Sequence, residues 1–130
     1  MEGDPEIERL VRELNRLLPT AKVHPFKALF PEARQHHCHT NADQFVSRTK
    51  DYRVVRGWLF FDFRAAALMG LEPTIRFTAH SLVQNASRER YEITPSQSSQ
   101  CYPFVEHPFG NEDFDRLVQG RQISHIDVEA

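Results

Sequence analysis

Tyr52-Arg53-Val54-Val55-Arg56-Gly57-Trp58-Leu59-Phe60-Phe61 is the stretch whose reading decides the fold. β-branched and aromatic residues fit a pleated, half-buried surface, so this run predicts a strand. Further along, Thr74-Ile75-Arg76-Phe77-Thr78-Ala79-His80-Ser81-Leu82-Val83 alternates over part of its length and predicts a second strand. Asn85-Ala86-Ser87 is a turn sequence, and it leads into Arg90-Tyr91-Glu92-Ile93-Thr94, a third strand folded back on the second. Between the first two strands, residues 64–72 end at Gly70 and Pro73 and fit either a helical turn or a β connection.

Upstream of the strands the period changes. Asp4 is placed to cap a helix with Pro5 in its first turn, where the missing N–H costs nothing. Ile7, Leu10, Val11, Leu14, Leu17 and Leu18 then recur at helical spacing, with charged residues on the other face, predicting an amphipathic helix over 4–19 that packs on the core. Residues 20–35 hold Pro25 and Pro31 between Phe26, Leu29 and Phe30, and read as a connection with short helical turns. Cys38 to Thr49 predicts a second helix. Near the C-terminus Tyr102–Val105 reads as an edge or loop segment, and Asn111 is expected to cap a short helix over 112–119 that stops at Gly120.

The whole of 1–130 is the size of one domain, and ten phenylalanines supply much of a core. The element order predicts an α+β fold, with an antiparallel sheet of three or more strands packed against helices. A formal charge of −2 gives no field that would gather phosphate backbones, so nucleic acid is not an expected partner. No apolar run is long enough for a membrane helix, and the acidic start, Met1-Glu2-Gly3-Asp4, is unlike a secretion signal. A cytoplasmic protein without a membrane partner is the expectation, and there Cys38 and Cys101 stay reduced.

Three side chains carry the chemistry. Cys38 stands at the start of a predicted helix, where unpaired N–H groups favour a thiolate and can hold an oxyanion. His80 lies in the second strand and Glu92 in the third, twelve positions on, so a turn near Asn85 brings the carboxylate back beside the imidazole. Nucleophile, base and orienting acid follow in that order. Asn41, one helical turn after Cys38, and Trp58 are the candidate substrate-binding residues. Ser81 and Ser96 sit in no Gly-x-Ser-x-Gly turn. The run His36-His37-Cys38-His39 suggests a metal, but adjacent side chains diverge, and no Cys-x-x-Cys or His-Glu-x-x-His spacing accompanies it. No metal and no cofactor are expected.

The succession Cys38 and Asn41, Gly57 and Trp58, His80, then Glu92 with Thr94 and Pro95 resembles a group of small bacterial and phage proteins associated with papain-like and transglutaminase-like cysteine-hydrolase folds. The resemblance spans about residues 38–95. It implies a papain-like or NlpC-like core, Cys38 as nucleophile and His80 as base. Glu92 stands where that pattern has an aspartate. Gln35, only three residues ahead of Cys38, is not given the oxyanion role of a papain-type glutamine. The expected function is thiol-dependent hydrolysis, or acyl or amide transfer, on a peptide or amide-containing substrate. Two alternatives stand beside it: a non-catalytic module that binds a protein partner, and a zinc-binding domain built on Cys38 and nearby histidines.

Overall fold

The computed structural model describes residues 3–95 and 102–129. The polar run 96–100 and Cys101 lie outside the described residues, and so do the expectations attached to Ser96 and Cys101. The fold is α+β with a curled antiparallel sheet. Helix α1 spans Pro5–Leu17, followed by a 3₁₀ turn at Leu18–Thr20, and α2 spans Cys38–Arg48. Strands β1 (Arg53–Phe63) and β2 (Thr74–Gln84) form the central hairpin, paired from Arg53↔Gln84 to Phe63↔Thr74. A 3₁₀ helix, Arg64–Met69, joins them. Next come β3 (Arg90–Tyr91), β4 (Phe104–Glu106), α3 (Asn111–Asp115) with a π turn at Arg116–Gly120, and β5 (His125–Glu129). The sheet order is β3-β2-β1-β4, and β5 pairs with the first half of β2. No helix is long and apolar enough to cross a membrane among the described residues.

Several local expectations stand and several change. Asp4 caps α1, its Oδ1 accepting from the N–H groups of Glu6 at 3.0 Å and Ile7 at 3.4 Å. Ile7, Leu10 and Leu14 are buried, each stabilising the fold by roughly 1.5–3 kcal/mol. Asn111, however, caps nothing. It is the first residue of α3, and its amide instead bridges to β1, accepting from Arg56 N at 3.3 Å and donating to Val54 O at 3.0 Å. The connection over 20–35 is not built of helical turns. Lys22 pairs with Phe104 of β4 and Phe26 with Glu92 just past β3, so this segment links the two margins of the sheet and closes its curl. Prolines at 25 and 31 suit an extended path better than a helix.

Alternation along the hairpin divides its two faces. Val55, Leu59 and Leu82 pack with Phe104 on one face, which also carries Gly57 and His80. Trp58, Phe77 and Ala79 pack on the other against α1, Phe114 and Leu117. Phe45 and Ala42 of α2 meet Val83, Tyr91 and Ile93. Gly57 is needed where it stands, because a Cβ there would lie 2.2 Å from Val105 O and 2.5 Å from Phe104 Cζ.

Candidate active site

β2 has a break in its outer edge. β5 pairs with it only as far as Thr78 and β3 takes over at Val83, leaving His80–Leu82 without a strand partner on that side among the described residues. The first turn of α2 meets β2 at this break. Cys38 interacts there with His80, and His39 Nδ1 lies 2.6 Å from Ser81 Oγ. His37, at the N-cap of α2, makes no side-chain cap, and among the described residues the N–H groups of the first turn have no side-chain partner.

The three residues singled out in the sequence come together. His80 Nε2 and Glu92 Oε2 form a short contact in which both groups are buried, at 5% and 2% exposure. The other carboxylate oxygen, Oε1, accepts from Thr94 N at 3.0 Å. Glu92 is therefore fixed at both oxygens, and the extra methylene relative to aspartate is taken up by this backbone contact. With Nε2 engaged by Glu92, Nδ1 is the imidazole nitrogen left to serve the Cys38 sulfur.

Burial alone would raise the Cys38 pKa, but hydrogen bonding with His39 and His80 and their charge outweigh it and bring the thiol down to about 5. Burial likewise opposes charge on His80, yet the contacts with Cys38 and Glu92 carry its pKa up to about 10. Each partner stabilises the charged form of the other, with His39 adding to the effect on Cys38 and Glu92 to that on His80. At neutral pH the pair is thiolate and imidazolium. Cys38 is a free thiol and only partly buried, so a reagent reaches it.

Asn41 and Trp58 have other roles than the expected contact with substrate. Asn41 is 2% exposed, and its amide is fully used: Oδ1 accepts from Arg34 N at 3.0 Å, while Nδ2 donates to Arg34 O at 2.8 Å and Thr94 Oγ1 at 2.9 Å. It braces the start of α2 against the segment that carries Glu92. Trp58 is fully buried on the opposite face of the hairpin from His80, donating from Nε1 to His107 Nδ1 at 3.1 Å. His107 must then carry its proton on Nε2, 2.7 Å from Asp113 Oδ2, and this chain of contacts ties β1 to α3.

A second group of residues escaped the sequence reading. Arg56, 5% exposed, donates from Nη1 to Ser81 Oγ at 2.8 Å, from Nη2 to both Asp43 oxygens at 2.8 and 3.0 Å, and from Nε to Asp115 at 3.2 Å. A guanidinium only donates, so the Ser81 hydroxyl accepts from it, and the same hydroxyl contacts His39 Nδ1 at 2.6 Å. Two signals pointed here: a charged residue inside the apolar run Val54–Phe61, and Asp43 one helical turn after His39. Among the described residues no group of three or more His, Cys, Asp or Glu is arranged to hold a metal ion.

No family model, curated protein or solved structure matches this chain.

Proposed function

We propose that the domain is a thiol hydrolase, or an acyl or amide transferase, in which Cys38 is the nucleophile, His80 the acid and base, and Glu92 the residue that positions His80. One observation carries the reading: a partly exposed thiol at a helix start lies against an imidazole whose far nitrogen is held by a buried carboxylate. A merely structural cysteine needs none of these partners. The order of thiol on a helix, histidine on one strand and acid beyond the next turn also supports the papain-like or transglutaminase-like core that the sequence resembles.

The thiolate sulfur attacks the carbonyl carbon of a peptide or amide, and the π electrons move onto oxygen. N–H groups of the first turn of α2 are the donors available to that oxyanion. As the tetrahedral carbon collapses, the C–N bond breaks and His80 gives its Nδ1 proton to the departing amine. A thioester on Cys38 remains. Neutral His80 then takes a proton from water, whose oxygen bonds to the thioester carbon, giving hydrolysis, or from an acceptor amine, whose nitrogen does so, giving transfer; the C–S bond breaks and the thiolate leaves.

The test is chemical trapping. With p-nitrophenyl acetate the protein should gain one acetyl group on Cys38, seen by intact mass and peptide mapping, and Cys38→Ala should gain none there. With iodoacetamide, Cys38 should be labelled at a rate that rises through about pH 5 and is level by pH 7. In His80→Ala the midpoint should move up toward that of an ordinary thiol. A wild-type midpoint near 8.5, with no acetyl adduct, overturns the reading.

A further inference from the structure

A separate cleft opens at the end of the curled sheet, on the hairpin face that carries His80 but four residues further along β2, at Gln84. It encloses about 680 Å³, within the range of small-ligand pockets. Its charge is one-sided: Lys22, Arg53, Arg88 and Arg90 line it, against Glu106 alone, in a chain whose net charge is −2. Like charges crowded around a concavity repel one another, and a low-dielectric wall concentrates their field rather than dispersing it.

Two of these cations, Arg53 and Arg90, are also held in place. Gln84 is 8% exposed, and its Oε1 accepts from Arg90 Nε at 2.8 Å and from Arg53 Nη2 at 3.3 Å. A buried neutral oxygen fixes the direction of two guanidiniums without cancelling their charge. Arg90 also pairs with Glu106, which leaves Arg53, Arg88 and Lys22 without an ion pair among the described residues. Half-buried His24 joins them, its ring edge against Phe104 at a centroid distance of 6.0 Å. Guanidinium forks and an ammonium converging on one hollow suit a tetrahedral dianion, whose several oxygens accept from all of them at once; a carboxylate has only two.

We propose that this cleft binds a phosphoryl group, free or carried on a small organic molecule, through Arg53, Arg90 and Lys22. The site is independent of the thiol chemistry.

The experiment is a titration of the full chain, followed by calorimetry and by the NMR signals of His24, with inorganic phosphate, phenyl phosphate, citrate and a short single-stranded oligonucleotide. Saturable binding of either phosphate, weakened at least about tenfold in Lys22→Gln/Arg53→Gln and reduced by added salt, supports the proposal. Tighter binding of phenyl phosphate assigns the site to organic phosphates, and equal binding assigns it to the free anion. Cys38→Ala should bind like the wild type, which separates this outcome from any failure of the hydrolase reading. The double variant's melting temperature and amide spectrum show that it is folded. Absence of saturable binding, equal affinity in the folded double variant, a preference for citrate, or affinity that grows with oligonucleotide length overturns the proposal.

Discussion

Ser81 Oγ lies 2.6 Å from His39 Nδ1, so the residue after His80 is tied to the residue after Cys38. Side chains 80 and 81 leave opposite faces of β2, yet both meet the first two residues of α2. This is possible because the helix start straddles β2 where its edge has no strand partner. One short piece of backbone therefore sets two contacts, and the orientation of His39 is tied to that of His80.

Ser81→Ala separates those contacts. It removes the hydroxyl that contacts His39 and leaves Nη1 of buried Arg56 without its acceptor, at a cost of roughly 1–3 kcal/mol. The urea midpoint should fall accordingly. Because His39 helps to lower the Cys38 pKa, the pH midpoint for alkylation of Cys38 should also move up. A midpoint that stays near 5 would show that His39 keeps its orientation without Ser81.

The Cys38–His80 pair gives stability a particular pH dependence. Between pH 5 and 6.5 the folded protein holds a thiolate where the unfolded chain holds a thiol, so the unfolded state binds more protons and stability rises with pH. Between 6.5 and 9 the folded pair has lost the thiol proton but kept the imidazolium proton, while the unfolded chain has done the reverse; proton counts match and this contribution is level. From 9 to about 10 the folded state retains the extra proton on His80, and stability falls as pH rises. The difference between wild-type and Cys38→Ala/His80→Ala unfolding free energies, measured by urea titration across this range, should trace that rise, plateau and fall. A flat difference curve would contradict a charged pair.

Gly57→Ala should be costly out of proportion to one methyl group. The new Cβ meets the backbone oxygen of Val105 as well as the Phe104 ring, so β4 must move away from β1. Overpacking of this kind costs roughly 1–3 kcal/mol, and backbone displacement puts this site at the upper end. Shrinking the ring with Phe104→Leu should recover little, since the clash with Val105 O persists. Chemical denaturation of the single and double variants checks both statements.

What the sequence made legible is what local rules control. Asp4-Pro5 marks the start of α1 and the helical apolar spacing marks its face; the apolar run after Asp51 marks β1. His80 and Glu92 could be placed together because one turn fixes the register of β2 against β3 and the residues just past it. The pairing of His125–Glu129 with β2 was not legible, because a five-residue strand holding His125, Asp127 and Glu129 carries a weak signal and its partner is distant in sequence. The closure of the sheet by residues 22–27 is likewise a matter of long-range pairing, with only two bridges to reveal it. Asn41 and Trp58 carried polar and aromatic groups that read as functional, whereas buried hydrogen bonds to Arg34, Thr94 and His107 account for them. Arg56 shows the opposite case: a charge in an apolar run was the visible mark of a buried network that needed coordinates to trace.

The link between residues 22–27 and the chain past β3 bears on when the thiol becomes reactive. Glu92 N donates to Pro25 O, and Lys27 N donates to Glu92 O, so the carboxylate behind His80 takes its position from the first quarter of the chain. Segments near 25, 38, 80 and 92 must all have met before the sulfur loses its proton at neutral pH. A nascent chain still emerging from the ribosome, or a fragment left by proteolysis, therefore carries only an ordinary thiol. The lowered thiol pKa is a property of the completed fold.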